Sequence, residues 1–284
     1  MEFFRPTSWS EALAARAEHP DAVPIAGGTD LMVGLNFGHA APVSLLDLTA
    51  IGELAEWGRD GGFVRIGAGV TYARVIDELG AECPGLATAS RTVGSPQIRN
   101  RATVAGNLGT ASPTGDAHPP LLAAGAVVEA ESVRGSRLIP IDDFYTGVKR
   151  NSLAPDELIR AVRLPVRPGP QEFAKVGTRN AMVIAVCSVA VGLDRTHRTV
   201  GTGIGSAGPT PLRAPAAEAL AGSLPWDGGP LDDDLARAFG AEVARAAAPI
   251  DDVRGSAAYR RHSLAVLGRR ALRWAWTTLE GEAA

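Results

Sequence analysis

Cysteine is scarce in this sequence, and histidine is scattered. The 284 residues include two cysteines, Cys83 and Cys187, and five histidines, and no CxxC or other metal-ligand spacing is present. Iron–sulfur clusters and zinc sites need several such ligands close together. We therefore expect no metal ligands in this chain, and two unpaired structural thiols in a reducing compartment.

The sequence also lacks an excess of one charge, and it lacks long apolar runs. The formal net charge is −3, so we expect no basic groove for nucleic acid. The apolar run at residues 181–193 is shorter than the roughly 18 residues that a membrane span needs. The N-terminus also lacks the basic and then apolar pattern of a secretory leader. These absences predict a cytoplasmic protein with no membrane span.

Glycine and proline, by contrast, are abundant. The chain has 33 glycines and 20 prolines, which favours shaped loops over a helical bundle. Two glycine loops stand out, at residues 26–30 (AGGTD) and 103–116 (TVAGNLGTASPTGD). A glycine pair lets backbone N–H groups converge on a phosphate with no Cβ in the way. Each loop alone is weak evidence, because most glycine turns after strands are ordinary turns.

The remaining pattern predicts two α+β units. Ser8 and Glu11 have the spacing of a capping box at the start of a helix, and Thr71 is the expected cap of another. Residues 92–117 are expected to form a long irregular loop. Three prolines within residues 165–170 indicate a linker, and strands expected at 173–176, 183–193 and 200–206 form a later sheet. We predict domains at residues 1–167 and 168–284.

The glycine loops do not match the common nucleotide motifs. The sequence contains no GxxxxGK[ST], and the glycines at 201, 203 and 205 lead to Pro209 instead of a helix. A P-loop and a Rossmann domain are therefore disfavoured.

Several segments in fixed order carry a more specific resemblance. They are AGGTDL at 26–31, IGAGVT at 66–71, QIRNRATVAGNL at 97–108, ASPTGD at 111–116 and DELI at 156–159, followed by Lys175 and Arg179. Together they closely resemble the FAD-binding subunit of the molybdenum hydroxylases, the family of xanthine dehydrogenase and aerobic carbon monoxide dehydrogenase. The resemblance covers nearly the whole chain.

The resemblance implies an α+β fold of the vanillyl-alcohol-oxidase (PCMH) type. Two α+β subdomains would form the FAD site, and a smaller α+β domain like the C-terminal domain of carbon monoxide dehydrogenase flavoproteins would follow. The first glycine turn would bind the pyrophosphate, and the second loop would close from the other side.

The resemblance also assigns site residues. Asp116 would accept hydrogen bonds from cofactor hydroxyls, and no residue is assigned as catalytic or as a metal ligand. The full set of expected FAD-binding residues is Pro24, Ile25, Ala26, Gly27, Gly28, Thr29, Asp30, Leu31, Val93, Thr103, Val104, Ala105, Gly106, Asn107, Ser112, Asp116, Ile159 and Lys175. Ala102 and Ala105 stand where many relatives carry glycine.

Four polar residues have more than one interpretation. Lys175 is one of only two lysines in an arginine-rich chain, and it is either a residue near the flavin or a surface lysine. His118 is either a base or an ordinary polar contact. Arg99 and Arg101 are either phosphate clamps or charges at a surface or interface.

The resemblance implies an oxidoreductase subunit. FAD here would receive electrons from a [2Fe-2S] subunit, fed by a molybdopterin subunit, and pass them to NAD⁺ or another acceptor. The three kinds of subunit would form a heterotrimer, and two heterotrimers would pair as a dimer. Two alternatives stay open at this point: a self-contained flavin oxidase or reductase, and a non-catalytic nucleotide-binding assembly module.

Overall fold

The computed structural model describes residues 1–39, 41–167 and 169–281, which form both helices and strands. The helices are α1 (Trp9–Glu18), α2 (Leu31–Asn36), α3 (Tyr72–Glu78), α4 (Pro84–Thr92), α5 (Pro96–Arg99), α6 (Val104–Thr110), α7 (His118–Ala124), α8 (Pro215–Ala219), α9 (Asp233–Ala246) and α10 (Ala257–Gly281). The strands are β1 (Glu2–Phe4), β2 (Val23–Ile25), β3 (Ser44–Asp47), β4 (Trp57–Asp60), β5 (Phe63–Gly67), β6 (Val127–Ser132), β7 (Gly135–Pro140), β8 (Tyr145–Gly147), β9 (Arg150–Asn151), β10 (Leu158–Pro165), β11 (Gln171–Val176), β12 (Cys187–Asp194) and β13 (Thr199–Gly205).

A small parallel sheet positions the first glycine turn. Its strand order is β1–β3–β2, and both outer strands pair with β3 in parallel. Helix α1 contacts β3 and begins with the predicted capping box, in which Ser8 and Glu11 exchange hydrogen bonds between side chain and backbone. Because β2 ends at Ile25, the glycine turn lies between the end of a strand and α2.

A five-stranded antiparallel sheet carries the second glycine loop. Its order is β4–β5–β10–β6–β7, and the chain between β5 and β6 leaves the sheet to form α3 to α7. Strand β6 alternates between half-buried and buried residues, as expected for a strand with one face on a core. Buried residues of these helices and of both sheets form one core, whose members range from Trp9 to Leu164.

A third sheet, of order β11–β12–β13, is covered on both faces. On one face Val189 and Val191 of β12 belong to a core that includes residues of α9 and α10. On the other face Ala190 packs with Ala123 of α7. Two strand glycines, at 201 and 203, allow the backbone of α7 to lie directly on β13, since a Cβ at either would be 2.0 Å from a carbonyl oxygen of α7.

The mixture of helices and sheets confirms the predicted α+β class. The predicted irregular loop at 92–117 is wrong in part, because α5 and α6 lie within it. The side chains of Ser95 and Thr103 start these helices by accepting N–H bonds from Ile98 and Gly106. Helices of four and seven residues are too short to show a periodic apolar pattern.

Two further predictions concern boundaries. The strand expected from residue 183 begins only at Cys187. The predicted domain boundary falls at Pro168, which lies outside the described residues, so it stays a prediction. In the parts of the chain that the structure describes, no helix is both long enough and apolar enough to cross a membrane.

Candidate functional site

Two adjoining cavities, of about 660 and 380 Å³, open where the two glycine loops meet. Gly27 and Asp30 of the first turn and Thr103 and Gly106 of the second loop line both cavities. Segments far apart in the sequence therefore form a common wall. The larger cavity also reaches Arg16 of α1 and Ile159 of β10.

Nearly all of the predicted site residues line these cavities. The exceptions are Val104, which is buried in the core, and Lys175. The two cavities share Pro24, Ala26, Gly27, Asp30, Leu31, Thr103 and Gly106, the larger adds Ala105 and Ile159, and the smaller adds Ile25, Gly28, Thr29, Val93, Asn107, Ser112 and Asp116.

Gly27 is the point at which the two loops touch. A Cβ on Gly27 would lie 2.0 Å from the carbonyl oxygen of Arg101 and 2.9 Å from the Cα of Ala102. The glycine is therefore required for packing between the loops, which corrects the expectation that its missing Cβ makes room for a phosphate. Gly106 differs, because a Cβ there would approach only the hydroxyl of Thr103, at 3.0 Å.

The first glycine turn offers unused backbone donors. The amides of Gly27, Gly28, Thr29 and Asp30 donate no hydrogen bond to any residue within the described ranges. Gly28 has a φ of +73°, in the left-handed region that favours glycine. Adjacent free N–H groups that line a cavity are suited to an anion such as a phosphate.

Asp116 lies at the end of the second loop, and its two carboxylate oxygens differ. Oδ2 accepts hydrogen bonds from Nζ of Lys175 at 2.5 Å and from the hydroxyl of Thr92 at 3.1 Å. Oδ1 is buried and has no partner. Burial raises the pKa of Asp116, while the charge of Lys175 opposes that rise. One carboxylate oxygen is thus left without a hydrogen-bond partner, on a residue that lines the smaller cavity.

Lys175 therefore acts on the site through Asp116. Its side chain is 8% exposed and also donates to the carbonyl of Thr92 at 3.3 Å. The surface-lysine interpretation is excluded by this burial.

His118 is buried and fixed by Tyr145. Its Nδ1 lies 2.7 Å from the Tyr145 hydroxyl, and burial lowers its pKa to about 3. The imidazole is consequently neutral near pH 7. It lines neither cavity, so the geometry favours the polar-contact interpretation.

Arg99 holds the chain next to the smaller cavity. Its Nη1 donates to the carbonyls of Arg91, Val93 and Gly94 at 3.3, 3.1 and 3.0 Å. The phosphate-clamp interpretation is wrong for this guanidinium, because it closes the end of α4 instead. Arg101 is exposed and lines the larger cavity.

The alanines at positions 102 and 105 cause no backbone strain. Neither Ala102 nor Ala105 is among the residues with positive φ in the described chain. Each also lines a cavity, Ala102 the smaller and Ala105 the larger.

Sequence reasoning missed several lining residues. Tyr72 lines the smaller cavity although it is 1% exposed, and Met182 and Ile184 reach the same cavity from the segment before β12. One sequence signal pointed to Tyr72, which is one of three tyrosines in the chain and directly follows the predicted cap Thr71. Ile184 falls within the strand predicted at 183–193, and Met182 directly precedes that strand.

These residues fit FAD by their chemistry. The free amides of the first turn suit a pyrophosphate, and the unpartnered buried oxygens of Asp116 and Asn107 suit hydroxyl groups. No group of three His, Cys, Asp or Glu side chains among the described residues is placed to hold a metal ion.

Comparison with known proteins gives matches over nearly the entire chain. Residues 1–167 match the family model of the FAD binding domain in molybdopterin dehydrogenase, and residues 172–275 match that of the CO dehydrogenase flavoprotein C-terminal domain. The nicotine 6-hydroxylase medium subunit of Paenarthrobacter nicotinovorans is 32% identical, with 96% of each chain covered. The carbon monoxide dehydrogenase medium chain of Afipia carboxidovorans is 31% identical, with 96% of this chain and 95% of that chain covered. A chain in the crystal structure of a cyanide-inactivated Cu,Mo-CO dehydrogenase superposes with a TM-score of 0.89 at 31% identity, with 97% of each chain covered.

Proposed function

Since this chain belongs to the family of FAD-binding medium subunits of the molybdenum hydroxylases, we propose that it holds FAD across the two adjoining cavities as the flavoprotein subunit of such an oxidoreductase. One observation supports this most strongly. The two glycine loops, with Asp116 at the end of the second, line the same pair of cavities.

The residues divide the work of holding the cofactor. The amides of Gly27, Gly28, Thr29 and Asp30 donate to the pyrophosphate, because anionic oxygens need N–H donors and these have no other partner among the described residues. Oδ1 of Asp116 accepts a hydrogen bond from a cofactor hydroxyl. Val93 supplies apolar surface in the smaller cavity, and Ile159 supplies it in the larger one. When bound, FAD supplies the redox group that takes up and releases electrons.

Further chains complete the proposed oxidoreductase. Its relatives are named as a medium subunit and a medium chain, which supports a place in a larger complex. We propose that electrons reach this subunit from a [2Fe-2S] subunit, fed by a molybdopterin subunit that oxidises the organic substrate. The electrons then pass from this subunit to NAD⁺ or another acceptor. The complex is cytoplasmic and assembles as a dimer of heterotrimers.

Flavin content tests the proposal. The purified chain, alone or co-expressed with its partner subunits, is expected to be yellow and to release about one FAD per chain on denaturation. Replacing Asp116 with alanine should weaken FAD binding by roughly 1–3 kcal/mol, the cost of one or two buried hydrogen bonds. It should also lower the folding stability, because Lys175 loses its partner. A colourless protein that takes up no FAD in either form would refute the proposal and support an assembly module.

The electron path needs a separate measurement. In the co-purified complex, NADH formation that depends on the molybdopterin subunit's substrate would support NAD⁺ as acceptor. Substrate oxidation by the isolated chain would contradict the subunit role and support a self-contained oxidase.

A further inference from the structure

A group of buried polar atoms around the smaller cavity has no partner in the described part of the chain. The atoms are the Tyr72 hydroxyl, Oδ1 of Asn107, Oδ1 of Asp116 and Nε2 of His118. Buried polar groups are normally hydrogen-bonded, and each exception calls for an explanation. Tyr72, Asn107 and Asp116 line the smaller cavity, so a ligand there would be the missing partner.

Tyr72 is fixed in place by the backbone around it. It is the first residue of α3, whose cap is the Thr71 side chain, and its amide donates to the carbonyl of Ala102 at 2.9 Å. The residue is 1% exposed and belongs to the core. Tyr72 is therefore a fixed part of the wall of the smaller cavity.

The hydroxyl of Tyr72 makes no hydrogen bond to another residue in the described parts of the chain. A buried hydroxyl without a partner costs free energy relative to an apolar group of the same shape. Phenylalanine would fill the same space without that cost. Tyr145 provides the contrast, because the hydroxyl of this half-buried residue is paired with Nδ1 of His118 at 2.7 Å.

The chemistry of the neighbouring atoms indicates the ligand group. A carboxylate oxygen of Asp116 only accepts, so it needs a donor, whereas a phenol both donates and accepts. Adjacent hydroxyls of a sugar or polyol satisfy both requirements, since each hydroxyl can donate to one atom and accept from another.

We propose that Tyr72 is a further cofactor-binding residue, whose hydroxyl binds a sugar-derived hydroxyl of FAD together with Asp116 and Asn107. The proposal rests on the FAD function proposed above. It adds a donor and acceptor from α3, an element outside the two glycine loops.

The substitution Tyr72→Phe tests this in the flavoprotein that has been stripped of FAD and then titrated with it. We expect the Kd for FAD to rise about tenfold, while the thermal midpoint of the FAD-free protein stays the same or rises. These opposite effects distinguish binding from structure, because a hydroxyl with a structural role would lower the midpoint when removed.

Tyr145→Phe is the matched control, since it removes a tyrosine hydroxyl that is paired inside the protein. It is expected to lower the thermal midpoint and to leave the Kd for FAD within about twofold of the wild type. If Tyr72→Phe binds FAD as the wild type does, or loses stability like the control, the proposal is overturned. Failure of the wild type to bind FAD would instead refute the proposed function.

Competition by ADP distinguishes the two possible sources of the hydroxyl. If Tyr72→Phe also weakens ADP binding about tenfold, the hydroxyl belongs to the ribose of the adenosine. If ADP binding is unchanged while FAD binding weakens, it belongs to the ribityl chain.

Discussion

The ammonium nitrogen of Lys175 lies 2.5 Å from Oδ2 of Asp116, and both side chains are 8% exposed. Lys175 is in β11 of the third sheet, whereas Asp116 ends the glycine loop that lines the smaller cavity. The ion pair therefore connects the C-terminal sheet to the candidate site. Lys175 lines neither cavity, but through this ion pair it contacts the carboxylate of Asp116, which lines the smaller cavity.

Replacing only one residue of the Lys175–Asp116 pair should strongly lower the free energy of unfolding. Lys175→Met leaves Asp116 buried beside an uncharged side chain, and loss of one partner of a buried ion pair typically costs about 3–5 kcal/mol. Changing both residues, Lys175→Met with Asp116→Leu, removes the isolated charge and should recover part of that loss. Urea unfolding of the wild type, the two single variants and the double variant measures the coupling. Strictly additive losses would show that the pair is not coupled.

Alanine at Gly27 should mainly affect folding stability, whereas alanine at Gly106 should mainly affect FAD binding. Gly27→Ala places a methyl 2.0 Å from the carbonyl oxygen of Arg101, so we expect a loss of about 1–3 kcal/mol in folding stability. Gly106 lies inside α6 and lines both cavities. Gly106→Ala should therefore keep the fold and weaken FAD binding. Chemical unfolding and FAD titration measure the two effects, and equal loss of stability in both variants would contradict the assignment.

His118 should make stability depend on acid pH. Burial lowers its pKa from 6.5 to about 3, so between these values the unfolded chain binds more protons than the folded chain. Stability is then full at neutral pH and falls as the pH drops below about 6.5, by at most ~1.4 kcal/mol per pH unit for one group.

The variant His118→Asn isolates this contribution. Its unfolding free energy, measured from pH 7 to pH 4.5, should fall less steeply than that of the wild type, because the other titrating groups are the same in both. Parallel curves would mean that His118 is not buried as a neutral imidazole.

The side chain of Arg99 should stabilise the segment at residues 91–94, whose carbonyls it binds. Its guanidinium binds three backbone carbonyls between residues 91 and 94, and Val93 and Gly94 line the smaller cavity. Arg99→Met is expected to lower stability by about 1–2 kcal/mol and to weaken FAD binding. Arg91→Met is the control, because the side chain of Arg91 is exposed. Equal effects of the two substitutions on FAD titration would contradict this role.

Local signals in the sequence determined many of the elements. Ser8 with Glu11 and Thr71 are caps whose bonds reach only three residues along the chain, so they are visible in the sequence itself. The two glycine loops are local features as well, and their fixed order identified the family before any geometry was known. The short helices α5 and α6 were missed because too few residues carry their pattern.

The tertiary structure alone decided which distant residues meet. Lys175 with Asp116 and His118 with Tyr145 are pairs from different elements, and no spacing rule connects them. The same holds for Gly27, whose missing Cβ faces the backbone of Arg101 and not a ligand. The sequence thus determined that two glycine loops exist and what chemistry they offer. Packing of the sheets and helices decided how the loops touch, which carboxylate oxygen stays free, and that Tyr72 lines the same cavity as Asp116, because burial and contact are set by the whole fold.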